Sequence, residues 1–152
     1  MAIARGAGTE IIRSILHEDV DNSPNAKIIV GEQHHIYTIL SITGFAVAVD
    51  STATNNILNI SINGWDSLTG TTNERVFIAR QQLAVNETFV WNDKFSFNGF
   101  EPTGLSAQTT TAAHINAIAD QGGSVAQDLE IWTEHANFKL DVTCTYIDQN
   151  NA

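Results

Sequence analysis

The run Phe138-Lys139-Leu140-Asp141-Val142-Thr143-Cys144-Thr145-Tyr146 alternates apolar and polar residues almost to the C-terminus. Phe138, Leu140, Val142, Cys144 and Tyr146 fall on one side; Lys139, Asp141, Thr143 and Thr145 fall on the other. Successive side chains of a strand point to opposite faces, so the pattern predicts a strand with one buried and one wet face. Most other apolar runs also read as strands, and the expected fold is therefore all-β: an antiparallel, jelly-roll-like β-sandwich.

Along the chain, strands are expected at Thr9 to Glu18, Ala26 to Val30, His34 to Val49, Ile57 to Asn63, Arg75 to Ala79, Glu87 to Trp91, Lys94 to Phe97, Val125 to Thr133 and Phe138 to Ile147. Gly44 is expected to bend the third of these, and Asn92-Asp93 to make a tight turn. In the fourth, Leu58, Ile60 and Ile62 are assigned inward, with Asn59, Ser61 and Asn63 outward. One short helix is expected at residues 109–119, where Ala112, Ile115, Ile118 and Ala119 keep helical spacing ahead of Gly122-Gly123. Residues 1–8, with Gly6 and Gly8, read as a flexible arm before a single domain at 9–149.

With 152 residues the chain is long enough for one real core. Only 16% of residues are charged, and 17 acidic against 7 basic residues leave a net charge of -10. Nucleic-acid backbones and anionic membranes both require clustered Lys and Arg, which are scattered here, so neither is an expected partner. Cys144 is the single cysteine, which excludes an internal disulfide; on the apolar side of its strand it reads as a small buried hydrophobe. The first residues lack the apolar core of a signal peptide, and no apolar run reaches the ~18 residues of a membrane span.

The candidate chemical sites are sparse. His34 and His35, as strand neighbours, would point apart and so not hold one ion together. His17, Glu18, Asp19 and Asp21 offer oxygen ligands without the spacing of a calcium loop, and read as a solvated turn. Glu130 and Glu134 flank Trp132 on an outer strand face, about 13 Å apart by strand rise, too far for a two-carboxylate hydrolase. Trp132 is expected to anchor a protein contact. Trp65 and Trp91, beside Asn and Asp, suggest sugar platforms, with burial of Trp91 the competing reading. Motifs of nucleophilic, nucleotide-binding or zinc chemistry do not occur, so no enzyme and no cofactor are expected.

The run from Leu83 to Pro102, with Glu87-Thr88-Phe89-Val90, a turn, then Asp93-Lys94-Phe95-Ser96-Phe97 ending in Gly99, resembles small virion proteins of tailed bacteriophages. The closing Asp141-Val142…Tyr146 and the opening Ala4-Arg5-Gly6-Ala7-Gly8-Thr9-Glu10 are similar to the same group. The resemblance implies a jelly-roll subunit, often trimeric, that binds the capsid exterior and cements neighbouring major capsid proteins. It implies no catalytic residues. The residues expected to meet partners are Ile3, Arg5, Ile11, Tyr37, Phe45, Trp65 and Trp132, with residues 2–10 as one attachment element. The rival expectation is a carbohydrate-binding or tail-associated module using Trp65 and Trp132.

Overall fold

A computed structural model describes residues 9–64, 74–100, 110–113 and 126–150. Alternating apolar runs separated by turn residues become nine strands: β1 (Thr9–Val20), β2 (Ala26–Val30), β3 (His35–Ala48), β4 (Ile57–Gly64), β5 (Glu74–Gln82), β6 (Thr88–Trp91), β7 (Phe95–Asn98), β8 (Asp128–Thr133) and β9 (Lys139–Asn150). A single 3-10 turn at Ala53–Asn55 precedes β4. Residues 111–113 are helical, and the Ala113 N–H donates to Thr110 Oγ1 at 3.2 Å, as at a helix start. The remainder of the expected helix lies outside the described residues.

The strands form two antiparallel sheets. One has the order β1-β9-β3-β6, with β7 also paired to β3; the other has the order β2-β8-β4-β5. The chain thus passes between sheets at every connection except β4 to β5 and β6 to β7. Taking β6 and β7 as one interrupted strand, this is the eight-stranded, two-Greek-key arrangement of a jelly roll.

Between the sheets lies one apolar core, in which Ile39, Leu58, Ile60, Leu129, Ile131, Phe138, Leu140 and Cys144 are fully or almost fully buried. On β9 the predicted alternation holds, with Leu140, Val142, Cys144 and Tyr146 inward. Burial pushes the Cys144 thiol up to about 12.

Two local expectations are corrected, and a third holds in direction but not in exposure. β3 runs without interruption through Gly44, which pairs with Phe89 and Val142; its register with β9 is irregular between Ile39 and Ser41 and again between Ala46 and Ala48. The one-residue bulge at Leu40 moves the inward set from Tyr37 and Ile39 to Ile42 and Ala46, a switch of parity. Asn92-Asp93 does not close a hairpin. β6 and β7 both pair with β3, end to end, and the indole N–H of Trp91 donates to the Asp93 carbonyl at 2.7 Å across the break. Asn59 and Ser61 point away from the core as expected, yet they are 1% and 0% exposed.

At one end of the sandwich the backbones of three segments touch. The Gly31 N–H donates to Gln127 O at 2.9 Å, Gln127 N–H to Gly99 O at 2.8 Å, and Gly99 N–H to His35 O at 2.8 Å. A Cβ on Gly31 would lie 2.0 Å from the Gly99 carbonyl oxygen, so only glycine permits this approach.

Candidate interaction surfaces

The outward side of the five-stranded sheet follows from the register. Ile12, Ile147, Thr38 and Ser96 form one row across it; Ser14, Thr145 and Ser41 form the next; Leu16, Thr143, Thr43 and Val90 form a third. These three rows contain no charged residue. Their hydroxyls pair laterally, Ser14 with Thr145 at 2.9 Å and Thr38 with Ser96 at 2.8 Å. Apolar side chains stand among them: Ile12 is 68% exposed, Leu16 59% and Val90 56%. Phe45, opposite Asp141 and Thr88, extends the patch to a bordering carboxylate at one end, and Glu10, opposite Gln149, borders it at the other. In a chain of net charge -10, these rows are a neutral surface with exposed aliphatic groups, and so a candidate contact surface.

The outward side of the four-stranded sheet is built differently. Trp132, Glu130 and Asp128 of β8 lie beside Asn59, Ser61 and Asn63 of β4, with Arg80, Phe77 and Arg75 of β5 beyond. The Arg75 guanidinium sits 4.5 Å over the Trp132 ring and donates to Glu130 Oε2 at 3.1 Å. Arg80 donates to Glu134 Oε1, and the Lys27 ammonium donates to Asp128 Oδ2 at 2.7 Å, which holds Lys27 protonated above its ordinary range. Glu130 and Glu134 are thus each held by their own arginine. Arg75 of the neighbouring strand lies against Glu130, and nothing local in the sequence signals the burial of Glu130, Asn59 and Ser61.

The structure places the expected partner residues unevenly. Ile11, on β1, is 41% exposed and Phe45 is 37% exposed. Tyr37 is no surface residue: its ring packs on Phe97 and Tyr146 in the core, its hydroxyl accepts the Glu32 N–H at 3.1 Å, and burial raises its pKa. Trp132 is likewise only 9% exposed, covered by Arg75 and packed on Phe77, so it is not an open anchor within this chain. Parity alone could not have excluded Tyr37, since the Leu40 bulge decides which side of β3 faces the core. Ile3, Arg5 and Trp65 lie outside the described residues, as does the expected arm at residues 1–8.

The histidine pair is also rearranged. His34 lies in the turn before β3 with a φ of 63°, whereas His35 opens the strand. His35 Nδ1 is 2.6 Å from Asp148 Oδ1, and its Nε2 is 3.5 Å from Glu32 Oε2; Arg13 Nε lies 3.4 Å from Asp148 Oδ2. These contacts tie β1, β3 and β9 together. In the acidic turn, Asp21 accepts the Ser23 N–H at 2.9 Å, and the Asp19 N–H donates to Asp141 of β9 at 3.1 Å. Among the described residues, no three His, Cys, Asp or Glu side chains are grouped to hold a metal ion. No helix among them is long and apolar enough to cross a membrane.

No family model and no curated protein matches the chain. Among solved structures it is similar to a chain of the Bacillus endospore appendages, described as a novel family of disulfide-linked pili, at 13% identity and a TM-score of 0.39, over 100% of this chain and 97% of that one. It is similar to the Clostridium thermocellum xylanase 10B CBM22-1–GH10 modules complexed with xylohexaose, at 11% identity and TM-score 0.40, over 93% of this chain and 26% of that one. A third similarity is to the VP2 subviral particle of infectious bursal disease virus, at 10% identity and TM-score 0.28, over 99% and 43%. At these values the likenesses carry no functional argument. The chain is a β-sandwich module on its own topology.

Proposed function

We propose that this chain is a non-catalytic structural subunit of a tailed-bacteriophage virion, a homo-oligomeric decoration protein that binds the capsid exterior and bridges major capsid subunits. The three uncharged rows on the outer side of the five-stranded sheet carry this reading. A protein of net charge -10 docks most readily through a surface that brings no charge to be desolvated, and the rows from Ile12 to Val90 provide one. The scarcity of lysine agrees with a chain whose surface is largely occupied by contacts.

The test is cosedimentation of the purified protein with capsid shells lacking it. The expected result is saturable binding that Phe45→Lys and Val90→Lys weaken by about tenfold or more, equivalent to ~1.4 kcal/mol, without a change in circular dichroism. Absence of shell binding by the intact chain would defeat the assignment. The carbohydrate reading rests first on Trp65, which lies outside the described residues, and second on Trp132, whose ring Arg75 covers. Saturable binding on a glycan array would restore it.

A further inference from the structure

Among the described residues the four sheet edges are unequal. The β6–β7 edge is broken after Trp91 and resumes at Phe95, with Asn92, Asp93 and Lys94 exposed in the gap. The β2 edge has five residues and a register irregularity between Lys27 and Ile29. The β5 edge is broken in mid-strand, opposite Ile60 and Ser61. Such interruptions are how sheet proteins keep open edges from pairing. β1 lacks one over most of its length: from Thr9 to His17 every residue pairs in unbroken register with β9, and the irregularity comes only after His17. Among the described residues β1 pairs with β9 alone, so its other edge is a straight run without proline.

We infer that this edge is a self-pairing site, at which two copies of the chain join antiparallel through residues 11–17 of β1 about a two-fold axis at Ser14. This rests on the reading of the protein as a homo-oligomeric subunit and names its contact. An uninterrupted edge needs an uninterrupted partner, and among the described residues the other three edges are interrupted; the complement to β1 is β1 of a second copy. Charge favours the same occupant. Within a chain of net charge -10, residues 11–17 contain no carboxylate and one cation, Arg13, with Glu10 and Glu18 flanking the stretch. Two copies therefore meet here without a carboxylate inside the contact.

The register keeps the two Arg13 side chains apart while joining apolar groups, and sets Glu10 of each copy opposite Glu18 of the other just beyond the contact. Centred on Ser14, Ile12 of each copy faces Leu16 of the other, Arg13 faces Ile15, and Ile11 faces His17. A centre at Arg13 would instead set the two guanidinium groups opposite each other, a destabilising pair. The chosen register covers side chains now open to water: Ile12 at 68%, Leu16 at 59% and Ile11 at 41% exposure. It also makes the two neutral outer faces continuous. The contact runs about 24 Å along the strand. One strand wide, it belongs with the smaller interfaces, so a concentration-dependent dimer is expected in place of the trimer that the resemblance implies.

Sedimentation velocity of the full chain over a wide concentration range tests this, with hydrogen exchange at both extremes. The expected result is a reversible monomer–dimer equilibrium, with amide exchange slowed in residues 10–17 as concentration rises. Ile12→Lys combined with Leu16→Lys should raise the dissociation constant about tenfold or more with unchanged circular dichroism, since both side chains are exposed. Val90→Lys, on the same face but three strands away, should leave it unchanged. Exchange in the unaltered chain decides the matter if the double variant fails to fold. A monomer at every concentration, a trimer, a dimer that survives the double substitution, or one abolished by Val90→Lys would each overturn the proposal. So would loss of association on deleting residues 1–8 alone, which would make that segment the occupant. A monomer that still binds shells would defeat this pairing and leave the decoration role standing. A dimer indifferent to shells would do the reverse.

Discussion

Cys144 shows how one position reports on the whole core. It is fully buried on β9, and its thiol titrates near 12 against an ordinary 9.0, so the folded chain keeps a proton that the unfolded chain releases. Tyr37 and Tyr146 are raised from 10.0 for the same reason, desolvation by burial. With fewer protons on the unfolded state above pH 9.0, stability should be complete below that value and decline as pH rises towards about 12. The slope is roughly 1.4 kcal/mol per pH unit for each such group. Urea titrations at increasing pH measure it, and a flat profile would contradict the burial of these groups. The thiol should also resist labelling until the chain unfolds. Phe138, fully buried beside it in sequence terms at the start of the same alternation, should cost about 3–5 kcal/mol when replaced by Ala. Gly99→Ala should cost about 3 kcal/mol or more, because its Cβ would lie 2.0 Å from the Glu32 carbonyl oxygen.

At the scale of elements, all nine strands were legible, because alternation and turn chemistry are local. The ends of β5 and β9 were not, since cross-strand pairing extends them beyond their own apolar pattern. The bulge at Leu40 was equally hidden: Gly44 carried the local signal for a bend, but β3 must pair with β9 on one side and two separate segments on the other. β8 makes the point energetically. Its alternate residues Asp128, Glu130 and Trp132 read as a wet face, yet all six residues of the strand are buried. Arg75→Ala should leave Glu130 with only the Asn25 amide at 3.4 Å. The expected loss is about 2 kcal/mol, discounted because Arg75 is itself partly exposed, together with a red-shifted Trp132 emission as the ring meets water.

For the whole molecule, function turns on which surfaces remain after the two sheets close. The neutral face predicts shell binding sensitive to Phe45 and Val90, and the β1 edge predicts a dimer sensitive to Ile12 and Leu16. Of the residues expected at partner surfaces, Ile11 and Phe45 are on the surface, while Tyr37 and Trp132 are spent inside the protomer. Fold class, strand order along the chain, the buried cysteine and the acidic, lysine-poor balance were present in the amino-acid pattern, because each depends on a residue and its near neighbours. Which strands pair, which edge stays uninterrupted, and which polar residues are buried were decided only by tertiary structure. Those properties belong to residues more than a hundred positions apart, such as Ser14 and Thr145, whose meeting depends on how every intervening strand is laid down.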